Sequence, residues 1–91
     1  MSEITIKESE IKDIIEESDI EDIKMGVKTT VVMLTMKNGF VIIESSACVD
    51  PENYDHEIGI AMCIARIKDK IWMLEGYRLQ NEVYLKSLEA N

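Results

Sequence analysis

Lys28-Thr29-Thr30-Val31-Val32-Met33-Leu34-Thr35-Met36, then Lys37-Asn38-Gly39, then Phe40-Val41-Ile42-Ile43-Glu44-Ser45-Ser46-Ala47 is the stretch on which the fold turns. Both flanks are rich in β-branched residues, which suit a pleated, half-buried surface. Asn-Gly between two such runs is the strongest short-range hairpin signal, because the favoured two-residue turn needs positive φ at both central positions. The pattern predicts an antiparallel hairpin over residues 27–47, closed at Asn38-Gly39. Apolar side chains fall on both faces of each strand, so both faces are expected to be covered. A lone hairpin is marginal in water, which calls for packing on a helix or on a second subunit.

Downstream, Asp50-Pro51-Glu52-Asn53 reads as a helix or turn start, with Asp in the capping position and Pro first. Asp55 with Glu57 can cap a second, longer helix. Ile60, Ile64, Ile67, Ile71 and Leu74 then recur at alternating spacings of four and three residues, the packing period of helices lying side by side. A neighbouring row holds Ile58, Met62, Ala65, Trp72 and Leu79, so the apolar face is wide. Gly59 and Gly76 interrupt it, and Gly76 is expected to end or kink the helix. Leu79, Val83, Tyr84 and Leu88 continue the periodicity, so residues 50–89 read as a helical region.

Upstream lies the acidity. Residues 1–24 carry nine acids and three lysines, a net charge of −6, whereas residues 25–91 are nearly neutral at −2. Ile11, Ile14 and Ile15 form an apolar stripe, and a helix from about Ser9 to Glu17 is expected within an acidic, helical segment 1–24. Such a charge run usually forms a solvated face, and the competing reading is an acidic surface that mimics DNA. The 91 residues therefore describe one domain, 1–91, of the α+β class: N-terminal helix, antiparallel β-hairpin, long C-terminal helix.

Composition narrows the function classes. The chain is 46% hydrophobic, with six Met against five aromatic residues, and its net charge is −8. That balance argues against duplex DNA or an anionic membrane as the partner, because both require a cationic footprint. With no apolar run of roughly 18–20 residues and no leader, a soluble, intracellular protein is expected. A chain this small buries only about 60–65% of its unfolded surface, so a homo-oligomer is expected, joined through helix and hairpin faces.

Candidate chemistry is sparse. Cys48, His56 and Cys63 lack the paired short spacing and fourth ligand of a structural zinc site, so no metal is expected and both cysteines read as small buried apolar residues. One histidine, no nucleophile motif and no phosphate-cradling glycine loop argue against an enzyme. Acid pairs such as Glu52 and Asp55 are explained more simply as helix caps.

Four strings carry a resemblance: Asn38-Gly39-Phe40; Glu44-Ser45-Ser46-Ala47-Cys48-Val49-Asp50-Pro51-Glu52-Asn53-Tyr54-Asp55; Glu57-Ile58-Gly59; and Lys70-Ile71-Trp72-Met73-Leu74-Glu75-Gly76-Tyr77. Over roughly residues 28–80 the chain resembles a family of small tailed-phage proteins long described as of unknown function. It is similar to the phage Thoeris anti-defence proteins of the first type. The resemblance implies a protein of the host bacterial cytoplasm that sequesters a cyclic ADP-ribose isomer made by bacterial TIR-domain enzymes. It also implies no cofactor, and it allows assemblies from a dimer to a hexamer. The alternative is an acidic early phage protein that inhibits a host protein by direct binding.

A sponge of this kind must hold a small dianion with adenine and ribose parts. That requires a slab against the base, cations and amides at the phosphates, and polar groups for ribose. Arg66 and Lys70, four apart on one helix face, can grip a pyrophosphate. Phe40 or Tyr54 can stack on adenine, and Asn38, Ser45, Ser46 and Asn53 supply polar contacts. The plainer reading is that the two cations pair with Asp69 or Glu57 on a solvated face and that both rings are core.

Overall fold

In the computed structural model, which describes residues 4–89, the chain runs α1 (Glu8–Glu16), β1 (Asp19–Met25), β2 (Thr29–Thr35), β3 (Val41–Ala47), a 3-10 turn (Pro51–Asn53) and α2 (His56–Glu89). The expected hairpin is β2 and β3, paired from Thr35↔Val41 to Thr29↔Ala47. Its turn differs from the two-residue type. Gly39 N–H donates to the Met36 carbonyl and Met36 N–H to the Phe40 carbonyl, both at 2.8 Å, leaving Lys37-Asn38-Gly39 as the loop. Only Gly39 takes positive φ, at +95°, so Asn38 keeps an ordinary conformation and its Oδ1 instead accepts the Phe40 N–H at 3.0 Å. A three-residue loop with a left-handed glycine last is the next commonest way to close a hairpin.

The sheet has a third strand. The segment 1–24 was expected to be helical, but α1 ends at Glu16, and Asp19–Met25 pairs antiparallel with β2 from Asp19↔Thr35 to Met25↔Thr29. Residues 1–3 of that segment lie outside the described residues. Ile20 and Ile23 sit three apart, a helical spacing, which is why the strand was not legible. Every residue of β1 is exposed, and its acids suit an edge strand, where charge discourages further pairing.

Alternation along β2 places Thr30, Val32 and Leu34 on the face that α2 covers, with Ile42 beside them on β3. Against these, α2 presents Gly59, Cys63, Ile67 and Ile71, while α1 contributes Ile11. Each fully buried aliphatic side chain stabilises by about 1.5–3 kcal/mol. Ile60, Ile64, Trp72 and Leu74 pack partly onto this core, but Ile58 and Met62 stay exposed. Coverage of both faces does not occur within the chain: Ile23, Met25, Val41 and Ile43 lie exposed on the open face.

α2 is continuous through Gly76, which therefore does not end it. At 1.5 Å per residue its 34 residues span about 51 Å, and the molecule measures 62 × 22 × 18 Å. The sheet ends near the middle of this helix, and residues beyond Glu75 project past the β2–β3 turn. Among the described residues no helix is long and apolar enough to cross a membrane.

Candidate ligand-binding site

β3 and α2 run alongside each other, and a row of α2 side chains one turn apart meets β3 residue by residue. Met62 Sδ lies 3.7 Å from Ser46 Oγ, Arg66 Nη1 donates to the Ser45 carbonyl at 2.5 Å, and Lys70 pairs with Glu44. One turn further, Met73 and Leu74 join Phe40, Val41, Ile42 and Lys70 around an open cavity of about 240 Å³. Pockets for drug-sized ligands usually enclose roughly 300–1,000 Å³, so this one has room for a nucleobase or a ribose but not a whole dinucleotide.

The groove is cationic by a narrow margin. Arg66 and Lys70 bring two positive charges, and Glu44, only 14% exposed, returns one negative charge. Lys70 is therefore already partnered, though not by the Asp69 or Glu57 that the sequence put forward. Arg66 spends one N–H on a backbone carbonyl and is otherwise exposed.

The eight expected site residues do not form one cluster. Phe40, Ser46, Arg66 and Lys70 lie along this groove. Ser45 gives the groove its carbonyl only, because strand alternation turns its side chain to the open face with Val41 and Ile43. Asn38 holds the β2–β3 turn and lines a second cavity of about 180 Å³, beside the acids Glu17 and Glu75. That acidity disfavours an anion there. Asn53 is exposed in the 3-10 turn, and Tyr54 follows it at the opposite end of the helix. Lys70 follows His56 by fourteen positions along α2, about 21 Å along the axis.

At that far end stands a polar chain that sequence reasoning did not assemble. The Tyr54 hydroxyl lies 2.7 Å from Thr30 Oγ1 and 2.6 Å from His56 Nδ1, and His56 Nε2 lies 2.8 Å from Asp22 Oδ1. Lys24 caps the Tyr54 ring at 5.0 Å. Asp22 and Lys24 come from the strand that periodicity read as helix, so their meeting with His56 left no sequence signal. Both ring nitrogens of His56 are engaged, and Thr30 is fully buried; the chain clasps β1, β2 and the start of α2 together.

The cysteines separate. Cys63 is fully buried, and burial pushes its thiol up from the usual range, with the nearby Arg66 guanidinium opposing. Cys48 is only half-buried, its Sγ–H donating to the Asp50 carbonyl at 3.1 Å, which corrects the expectation that both are core.

Fold and groove together define a small α+β protein that carries a shallow, weakly cationic cleft between an edge strand and a long helix. The chain belongs to the phage protein (N4 Gp49/phage Sf6 gene 66) family, whose model matches residues 6–83. No curated protein and no solved structure matches it.

Proposed function

We propose that this phage protein binds and sequesters a cyclic ADP-ribose-type signalling nucleotide without cleaving it, and so blocks Thoeris immunity in the host bacterial cytoplasm. The observation that carries the reading is the alignment of Phe40, Lys70 and Arg66 along one groove. An aromatic face beside an apolar hollow receives the base, and two cations a helical turn apart receive the phosphates. Lys70 exchanges part of its contact with Glu44 for phosphate oxygen. Ser46 serves the ribose from the next position along.

Sequestration without turnover fits the chemistry present. The buried Cys63 thiol resists ionisation, and His56, at the other end of the sheet-covered stretch of α2, holds partners at both nitrogens. Neither metal nor cofactor enters the proposal, and nor does DNA or a membrane. The functional unit is a homo-oligomer, a dimer or higher, up to a hexamer. The alternative, an acidic inhibitor of a host protein, draws on the exposed acids of β1, Asp19, Glu21 and Asp22.

Heat-denaturing the protein after incubation with cyclic ADP-ribose isomers, followed by mass spectrometry of the supernatant, tests the reading. Intact cyclic nucleotide in stoichiometric amount is expected. A linear product would make the protein an enzyme, and no nucleotide at all would favour the protein inhibitor.

A further inference from the structure

The sheet has two faces, and α2 covers one of them. On the other, Thr29, Val31, Met33 and Thr35 of β2 point away from α2, and the residues opposite them on both ladders share that face. On β1 these are Met25, Ile23, Glu21 and Asp19 in the same order, and on β3 Ala47, Ser45, Ile43 and Val41. An apolar stripe therefore crosses the strands obliquely through Met25, Ile23, Val31, Met33 and Ile43. It stops short of Val41, which already borders the groove. Met25, Ile23 and Ile43 are each more than half exposed, and contiguous exposed apolar surface of this kind marks an interaction site.

Charge is set on one flank of the stripe only. Asp19 and Glu21 stand beside it, and among the described residues neither has an ion-pair partner. The other flank holds Ser45 and Ala47, which are small and uncharged. Among the described residues no Lys or Arg stands on this face. Lys24 turns to the opposite face, over the Tyr54 ring, and Lys28 Nζ donates to the Val49 carbonyl at 3.0 Å.

We propose that this stripe docks an amphipathic helix of another protein, about three turns long, whose apolar face is flanked along one side by Lys or Arg. Two strand spacings of about 4.8 Å and four residues at about 3.4 Å set the ends of the stripe about 17 Å apart, the length of roughly 11 helical residues. Apolar residues at i, i+3 or i+4 and i+7 of such a helix fill it, as in other helix-in-groove complexes. The two unpaired carboxylates fix the partner's charge, because electrostatic complementarity across the rim selects cations there. A second copy of the chain does not supply them, since the same face brings two more carboxylates and no base. Asp22 takes no part, being held by His56 on the opposite face.

This inference stands apart from the nucleotide reading, whose groove lies on the α2 side of the sheet, and it names the surface and partner chemistry that the host-protein alternative leaves open. The probe is a stapled helical peptide with a leucine stripe and lysines along one flank, titrated at physiological ionic strength into the full chain labelled at its methionine methyl groups. Met25 and Met33 lie on the stripe, whereas Met62 and Met73 lie along α2 beside the groove. The NMR signals of Met25 and Met33 should move while those of Met62 and Met73 stay. Glu21→Lys should weaken the lysine peptide by at least about tenfold and admit its glutamate counterpart, because like charges facing one another across a rim repel. Ile43→Asp should abolish binding, with the circular dichroism of sheet and helix retained and the mass in light scattering unchanged. Unmoved Met25 and Met33 signals, equal binding of a peptide with the same residues shuffled, or unaltered affinity in Glu21→Lys overturns the proposal. So does a smaller mass in Ile43→Asp, since a second copy then covers the face.

Discussion

Thr30 is the residue on which the far end of the molecule depends, since it is a fully buried hydroxyl whose partners are Tyr54 and, more distantly, His56 at 3.4 Å. Tyr54→Phe removes the 2.7 Å partner and leaves that oxygen poorly served, so it should cost about 1–2 kcal/mol in urea denaturation. Nucleotide binding should stay unchanged, because Tyr54 lies outside the groove. Glu44 offers the converse test. Glu44→Gln frees Lys70 from its carboxylate and should tighten binding of an anionic nucleotide several-fold in a titration; weaker binding would show that Glu44 contacts the ligand itself. Cys63 gives a pH dependence. Its folded pKa is raised above the 9.0 of a free thiol, so its contribution to stability is complete below pH 9 and declines as pH rises through the folded value. Comparing urea midpoints of the parent and Cys63→Ala across pH 8–11 should show a shallower alkaline decline in the variant.

Two glycines in α2 have opposite meanings, which only packing distinguishes. A Cβ at Gly59 would lie 2.2 Å from Thr30 Oγ1, whereas at Gly76 it would meet nothing within 4 Å. Gly59→Ala should therefore destabilise by about 1–3 kcal/mol through overpacking, and Gly76→Ala should stabilise by about 0.5–1 kcal/mol through the helix backbone. Equilibrium unfolding of both decides, and equal signs would contradict the packing described. The sequence treated the two alike, as interruptions, because periodicity carries no tertiary distance. α1, β2, β3 and the start of α2 after Asp55 were legible from β-branched runs, the Asn-Gly pair and caps. β1 was not, since its hydrophobic spacing mimics a helix and its strand state comes from pairing with β2. For the same reason the groove was half legible. Arg66 and Lys70 could be placed on one face from i, i+4 spacing alone, but Ser45 and Tyr54 needed register and topology to be set apart from it.

At the scale of the whole molecule, a 62 Å rod with one bare sheet face and a projecting helix stands against a groove that is small and only weakly cationic. The central claim is that this groove holds a cyclic ADP-ribose-type nucleotide through Arg66 and Lys70. A charged hydrogen bond contributes about 1.5–3 kcal/mol, so Arg66→Ala should weaken binding by roughly 10- to 150-fold. The fold should persist, because removing an exposed helix charge seldom shifts stability by more than about 0.5 kcal/mol. Isothermal titration calorimetry of the parent and Arg66→Ala proteins against the cyclic ADP-ribose isomers measures this directly. The account predicts saturable binding of at least one isomer by the parent and the stated loss in the variant. Absence of binding heat for every isomer would contradict the claim, and an unchanged affinity in Arg66→Ala would remove this groove as the place where the phosphates sit.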